Sequence, residues 1–328
     1  MTHHTSTRRR FLQQASGLIA GTVVSNAWSP CLDAADKRAP LVLSCVDGVL
    51  MQTKIADCWN ATKAVGATGI EASIAPDLSF PRLFHPTRKY SAATAEDLET
   101  LKKDAAAAGC KITAFLMATQ FDVRGAEEVA WVIKAAQAAQ ALGVRAIRID
   151  VVKHKSDNSD FLESVTGMLK EVVAKTSDTG VDFGVENHGN TTNDPNFLDA
   201  LFSGVASTRL GLTLDTGNFY WFGHPLPNVY ELFEKYATRV VHTHCKSIGY
   251  PADQRNQQRP MGWKYGEYTC PLDQGDIDFR RVIKILRDAG YQNDLCIEDE
   301  SLDKVPEAKR TATLAKEFDY LKACMADA

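Results

Sequence analysis

One pattern recurs through the chain after about residue 40: an amphipathic helix, then Gly, then a short apolar run. It reads AVGATGIEAS, AAGCKITAF, ALGVRAIRI, DTGVDFGVE and DAGYQNDLCIE. Gly at a helix end takes the left-handed conformation that stops the helix, and an apolar run of this length reads as a buried strand. With Leu41–Cys45 ahead of the first repeat, strands are predicted at 41–45, 69–73, 111–117, 145–151, 182–186, 210–215, 240–245 and 294–298. The helices between them carry stripes such as Val129, Val132, Ile133 and Ala136, or Phe279, Val282, Ile283 and Leu286. Stripes at this period face a core and imply no cofactor. Parallel strands with covering helices need right-handed crossovers, and eight of them close a barrel. The rival is an open doubly wound sheet, but no GxGxxG follows the first strand. The expected fold is α/β, a (β/α)8 TIM barrel.

Four of these strands end in groups that packing does not ask for. VDFGVE stops at Glu186, LGLTLD at Asp215, VVHTH at His244 and DLCIE at Glu298. A buried, unpaired charge is costly, so a carboxylate at a strand end needs a partner, and a metal ion is one. Positions 186, 215 and 244 are spaced by 29 residues, one strand, one helix and two loops, so they occupy equivalent ends of consecutive units. The longer step to 298 spans a polar loop. Two Glu, one Asp and one His make a hard, mixed O/N set suited to Mn²⁺, Mg²⁺, Co²⁺ or Zn²⁺. The bland alternative for each carboxylate is a helix cap or a partner for Lys. His242 and His244 share one face of their strand, so the residues alone leave the choice of ligand open.

ENHG, LDTGN, VHTHCK and IEDE, in this order and spacing, resemble the xylose-isomerase-like barrels labelled sugar-phosphate isomerases/epimerases, over nearly all the chain after about residue 40. The resemblance implies that His244, the second His of HxH, is the ligand beside Glu186, Asp215 and Glu298, with His242 a layer below. It also implies that Glu186 and Glu298 exchange a proton with the carbon next to a sugar carbonyl, the metal stabilising the enediolate. Asn218 stands where ketose 3-epimerases of the family carry His, a departure at a substrate contact. His188, Asn218, Lys246, Glu71 and Trp263 are the candidate substrate-binding residues, with Asp150 facing the same mouth. Lys153, His154, His85 and His224 read as incidental loop residues. The expected function is a metal-dependent sugar isomerase or epimerase. The alternatives are a lyase that expels a β-leaving group from the same enediolate, and a non-catalytic sugar-binding protein of the envelope. A nuclease with a His-rich trinuclear zinc site does not suit the few well-placed His.

The loops 75–92 and 247–278 are long and leave strand carboxyl ends, so they are expected to overhang the cluster. The second carries Arg255, Arg259, Trp263 and Tyr265.

At the amino terminus, Thr7-Arg8-Arg9-Arg10-Phe11-Leu12-Gln13 precedes an apolar stretch from Ala15 to Ala27 that is too short to span a bilayer. This reads as a twin-arginine export signal, which places the mature protein in the periplasm. The expected organisation is signal and linker over 1–35 and one barrel over 36–328. Removing residues 1–27, with three Arg and no acid, takes the net charge from −4 to −7. That balance speaks against nucleic acid and anionic membranes. The partner expected is a small carbohydrate, with homo-oligomerisation left open. The eight Cys include no CxxC pair, and Cys45, Cys245 and Cys296 read as small buried hydrophobes.

Overall fold

The computed structural model describes residues 41–155 and 160–328, so the expected export signal lies outside the described residues. Eight strands form one parallel sheet: β1 Val42–Val46, β2 Gly69–Ser73, β3 Lys111–Met117, β4 Ala146–Ile149, β5 Asp182–Glu186, β6 Leu210–Asp215, β7 Val240–His244 and β8 Asp294–Ile297. The order is β8-β1-β2-β3-β4-β5-β6-β7, with every ladder parallel. The sheet closes between β7 and β8 through a single parallel bridge, Cys245 to Ile297. There Cys245 N donates to Cys296 O at 2.6 Å and Glu298 N to Cys245 O at 3.1 Å. Side chains carry the rest of that seam. Thr243 Oγ1 donates to Asp294 O and accepts from Cys296 N, and Asn293 Nδ2 donates to Val241 O. The fold is the expected TIM barrel.

Helix ends follow the repeat. The helix Cys58–Val65 starts at Asp57, whose carboxylate accepts from Asn60 N, and stops at Gly66 with φ 80°. The helix Ala126–Leu142 stops at Gly143 with φ 72°. A residue with a Cβ is disfavoured there, which is why Gly recurs between helix and strand ahead of β2, β3, β4, β5 and β8.

Two strands are shorter than their apolar runs. Asp150 N donates to Thr119 Oγ1, which in turn donates to Asp150 O, so β4 leaves the ladder at Ile149. Thr216 Oγ1 takes both backbone groups of Lys246 in the same manner just past β7. A hydroxyl that serves as donor and acceptor ends pairing without stranding a buried backbone group.

Both long loops have internal structure. The loop 75–92 closes as a small hairpin with an antiparallel Ser79–Ser91 bridge, anchored by Trp59 Nε1 donating to Tyr90 OH. The loop 247–278 contains a two-residue ribbon, Ser247–Ile248 against Thr269–Cys270. It also holds Arg259 between the rings of Tyr220 and Tyr250, 4.5 and 4.3 Å from their centroids.

Candidate metal centre

Glu186, Asp215 and His244 are the last residues of β5, β6 and β7, and Glu298 is the first past β8. Strand register brings Asp215 directly opposite His244. One ligand atom from each of the four lies within 4.8 Å of the others. His244 Nδ1 is 2.9 Å from Glu186 Oε1 and 3.3 Å from Glu298 Oε2, while its Nε2 is 2.7 Å from Glu71 Oε2. Asp215 is pinned from two sides. Its Oδ1 accepts from Gly217 N and Asn218 N at 2.8 Å, and Asn187 brackets its backbone through Asp215 N and O. Its Oδ2 accepts no well-directed hydrogen bond, although the Lys246 ammonium lies 3.0 Å away. Three carboxylates and one imidazole nitrogen converging with an orphaned oxygen fit a divalent ion such as Mg²⁺, Mn²⁺ or Zn²⁺.

Cations already surround the cluster. Lys246 Nζ sits 2.9 Å from Glu298 Oε2 and 2.8 Å from Glu300 Oε1, and Tyr265 OH donates to the other oxygen of Glu300. On the β4 side the buried Arg148 guanidinium bridges Glu186 Oε2 and Asp150 Oδ2. Burial pushes the Glu186 carboxyl up, but Arg148 and His244 outweigh it and hold Glu186 well below the usual carboxylate range. Asp215 behaves oppositely. Burial lifts it to about 7 against the pull of Lys246, with the charges of Glu186 and Glu298 adding to the rise. His188 Nδ1 is 2.8 Å from Asp150 Oδ1, and that hydrogen bond is the main reason its pKa rises to about 9.

A sequence profile described as xylose isomerase-like TIM barrel matches residues 59–324. The chain belongs to the xylose isomerase-like TIM-barrel family. It is similar to inosose dehydratase of Klebsiella pneumoniae (strain 342), 29% identical over 123 residues, 36% of this chain and 38% of that protein. The chain thus spans about two fifths of the length of that curated relative. Among solved structures, it resembles a xylose isomerase-like TIM barrel protein from Mycobacterium smegmatis in complex with magnesium. The TM-score is 0.64 at 16% identity, over 88% of this chain and 98% of that one. It also resembles the IOLI protein with a bound zinc atom, with TM-score 0.64 at 16% identity, over 86% and 99%.

Within this family barrel, the structure brings Glu186, Asp215, His244, Glu298 and Lys246 together and sets His188 beside them, 3.9 Å from Glu186 Oε2. Asn218 lies at the cluster through its backbone, and its buried Nδ2 has no hydrogen-bond partner. Glu71 is not at the mouth. It lies in the middle of β2, fully buried, with its oxygens against His244 Nε2 and His242 Nε2. Strand β2 runs two residues past it, which puts Glu71 a layer beneath the donors. Trp263 stacks on Tyr268 at 5.6 Å, and it is Tyr265, two residues on, that reaches the cluster through Glu300. His154 is held on Asp122. Arg148 and Asp294 are not among the residues singled out from the sequence, and Glu300 figures there only as part of the acidic strand-eight exit. The first two were accessible by counting in twos along a strand, from Asp150 to Arg148 and from Glu298 to Asp294.

Proposed function

We propose that this chain is a metal-dependent enzyme that removes a proton from the carbon next to a carbonyl in a sugar or cyclic polyol ketone, with elimination as the favoured outcome. Glu186, Asp215, His244 and Glu298 would hold the ion. Such an ion supplies Lewis acidity to the carbonyl beside the reacting carbon. The reading rests on one observation, that the two Glu side chains are not equivalent. Glu186 is buried, with one oxygen at His244 and the other at Arg148. Glu298 is 19% exposed at its side chain. It lines an open cleft of about 400 Å³ with Val46, Gly48, Met51, Gln52 and Arg82. Only Glu298 therefore offers an oxygen to a bound molecule.

Inverting a carbon needs proton-handling groups on both faces, whereas a syn elimination needs one. The C–H bond breaks with its proton going to Glu298, the adjacent C–O bond breaks, and that same proton completes the departing water. The enol left behind returns to a ketone. This puts elimination ahead of the epimerisation expected from the tetrapeptides, and the likeness to inosose dehydratase agrees with it. Lys246 keeps Glu298 and Asp215 in place, and Asn218 Nδ2 and the outer nitrogen of His188 are donors left for substrate hydroxyls.

The substrate is unphosphorylated in this reading. The strand-eight exit, Glu298-Asp299-Glu300, is acidic. The two arginines of the strand-seven loop, Arg255 and Arg259, are engaged elsewhere. Arg259 donates to the carbonyls of Gln257, Tyr220 and His224, and Arg255 pairs with Asp276. The test is a panel of neutral ketoses and inososes incubated in D₂O with Mn²⁺, Mg²⁺, Co²⁺ or Zn²⁺ and read by NMR and mass spectrometry. A product lighter by one water is expected. An isomeric, deuterated product would restore epimerisation. Stoichiometric binding without turnover would make the protein a sugar sensor.

A further inference from the structure

Beneath the donors, a chain of buried polar groups runs down the barrel axis. Ser44 Oγ donates to Asp294 Oδ2 at 2.6 Å, and Tyr291 OH to Asp294 Oδ1 at 3.0 Å. His242 Nδ1 is 2.8 Å from Asp294 Oδ1. His242 Nε2 lies 3.1 Å from Glu71 Oε1, off the line of an ideal hydrogen bond, and neither atom has another partner. Glu71 Oε2 then meets His244 Nε2 at 2.7 Å. None of Ser44, Asp294, His242 and Glu71 is exposed to any extent.

We infer that Glu71, steadied by His242 and Asp294, is a positioning residue that fixes the proton of His244 on Nε2 and so sets the affinity of the centre for its metal. An ionised carboxylate has no proton to give, so the ring nitrogen facing it must donate. Nδ1 faces Glu186 and Glu298 in the same way; with an ion in place of the proton there, Glu71 would keep the remaining proton on Nε2 and leave the Nδ1 lone pair for the ion. His242 has Asp294 at one nitrogen and Glu71 at the other, which keeps it from turning Glu71 away. A carboxylate behind a ligating histidine also raises the ring's basicity, and losing such a partner weakens metal binding about 10- to 100-fold.

This inference rests on reading the donor cluster as a metal centre, and the experiment separates the two. Binding of Mn²⁺ and Zn²⁺ is measured by calorimetry, with a competing chelator where needed, on the wild type, Glu71→Gln and Asp294→Asn. Folding is checked by near-UV circular dichroism of the metal-free proteins. Glu71→Gln keeps the shape but offers one acceptor for two rings, so its amide places a donor against one of them. The wild type is expected to bind one ion, and Glu71→Gln to bind it at least tenfold more weakly. Asp294→Asn, two links further off, should show a smaller loss. In the zinc-loaded wild type, ¹⁵N NMR of labelled His should show His244 with Nδ1 metallated and a strongly deshielded Nε2–H, a signal lost in Glu71→Gln. A role confined to packing would lower thermal stability and leave that signal in place. A folded Glu71→Gln with wild-type affinity overturns the inference. If Glu71→Gln does not fold, unchanged affinity in Asp294→Asn overturns it. A wild type that binds no ion overturns the metal-centre reading instead.

Discussion

Glu317 lies in the closing helix, Glu307–Asp327, with no exposed surface. Its Oε1 accepts from Leu272 N at 2.8 Å. Its Oε2 and the Oδ2 of Asp299 are both buried without a hydrogen-bond partner. Burial, followed by the charge of Asp299, raises the Glu317 pKa well above its ordinary value of 4.5, so in the fold it keeps its proton to higher pH. The sign follows from linkage. A group whose pKa is raised by folding contributes its stability below the unfolded value and loses it as pH climbs towards the folded one. Each pH unit in that window costs about 1.4 kcal/mol. Glu317→Gln cannot ionise, keeps an oxygen for Leu272 N, and offers an N–H to Asp299. The difference in unfolding free energy, variant minus wild type, should therefore grow as pH climbs above the ordinary carboxyl value of 4.5, by up to about 1.4 kcal/mol per unit. Urea denaturation at three pH values, with m-values compared, measures it. A difference that does not change with pH above about 4.5 would refute the retained proton.

Asp215→Ala should abolish metal binding, since it removes one of four donors from an acidic site, and elemental analysis at full occupancy would count against the assignment. His244→Ala should lose the ion while His242→Ala keeps it, though more weakly; the reverse pattern would exchange their roles. Arg148→Met leaves Glu186 and Asp150 buried without their guanidinium and should cost about 3–5 kcal/mol in the metal-free protein; a loss under about 1 kcal/mol by urea denaturation would show that the pair is solvated. For matched sugars and sugar phosphates at fixed ionic strength, the neutral member should give the higher kcat/KM. A tenfold preference for the ester, about 1.4 kcal/mol, would mean that the acidic exit does not face the substrate. Arg8→Lys with Arg9→Lys should leave the protein in the cytoplasm, and unchanged periplasmic recovery would remove the export reading.

The barrel was legible because helix, Gly and apolar strand recur in the same order along the chain. The four donors stood out because charge at the end of an apolar run is conspicuous. What sequence could not supply was depth. Glu71 and Glu298 are both Glu after an apolar run, and although the predicted strand 69–73 already ran two residues past Glu71, its contact with His242 and His244 across the barrel shows only in the structure. Nor could it supply partners across the barrel. Arg148 sits in AIRI as a basic interruption of a strand, and its meaning depends on Glu186, 38 residues away in sequence and bonded to it in space. The long loops were recognisable as mouth-lining, yet which of their residues reach inward depended on the stacking of Arg259 and the turn that delivers Tyr265.

The seam between β7 and β8 joins the strand that ends in His244 to the one that leads into Glu298. It is held by two backbone hydrogen bonds beside the stitches made by Thr243 and Asn293. An ion gripped by both residues would lie across this join like a clasp on a hoop. Emptying the centre would then loosen the cylinder at its weakest stave. Amide exchange at Cys245, Cys296 and Glu298 should quicken on chelation while the β2–β3 ladder keeps its protection. Metal supply would govern how long the folded barrel survives as well as what it can catalyse.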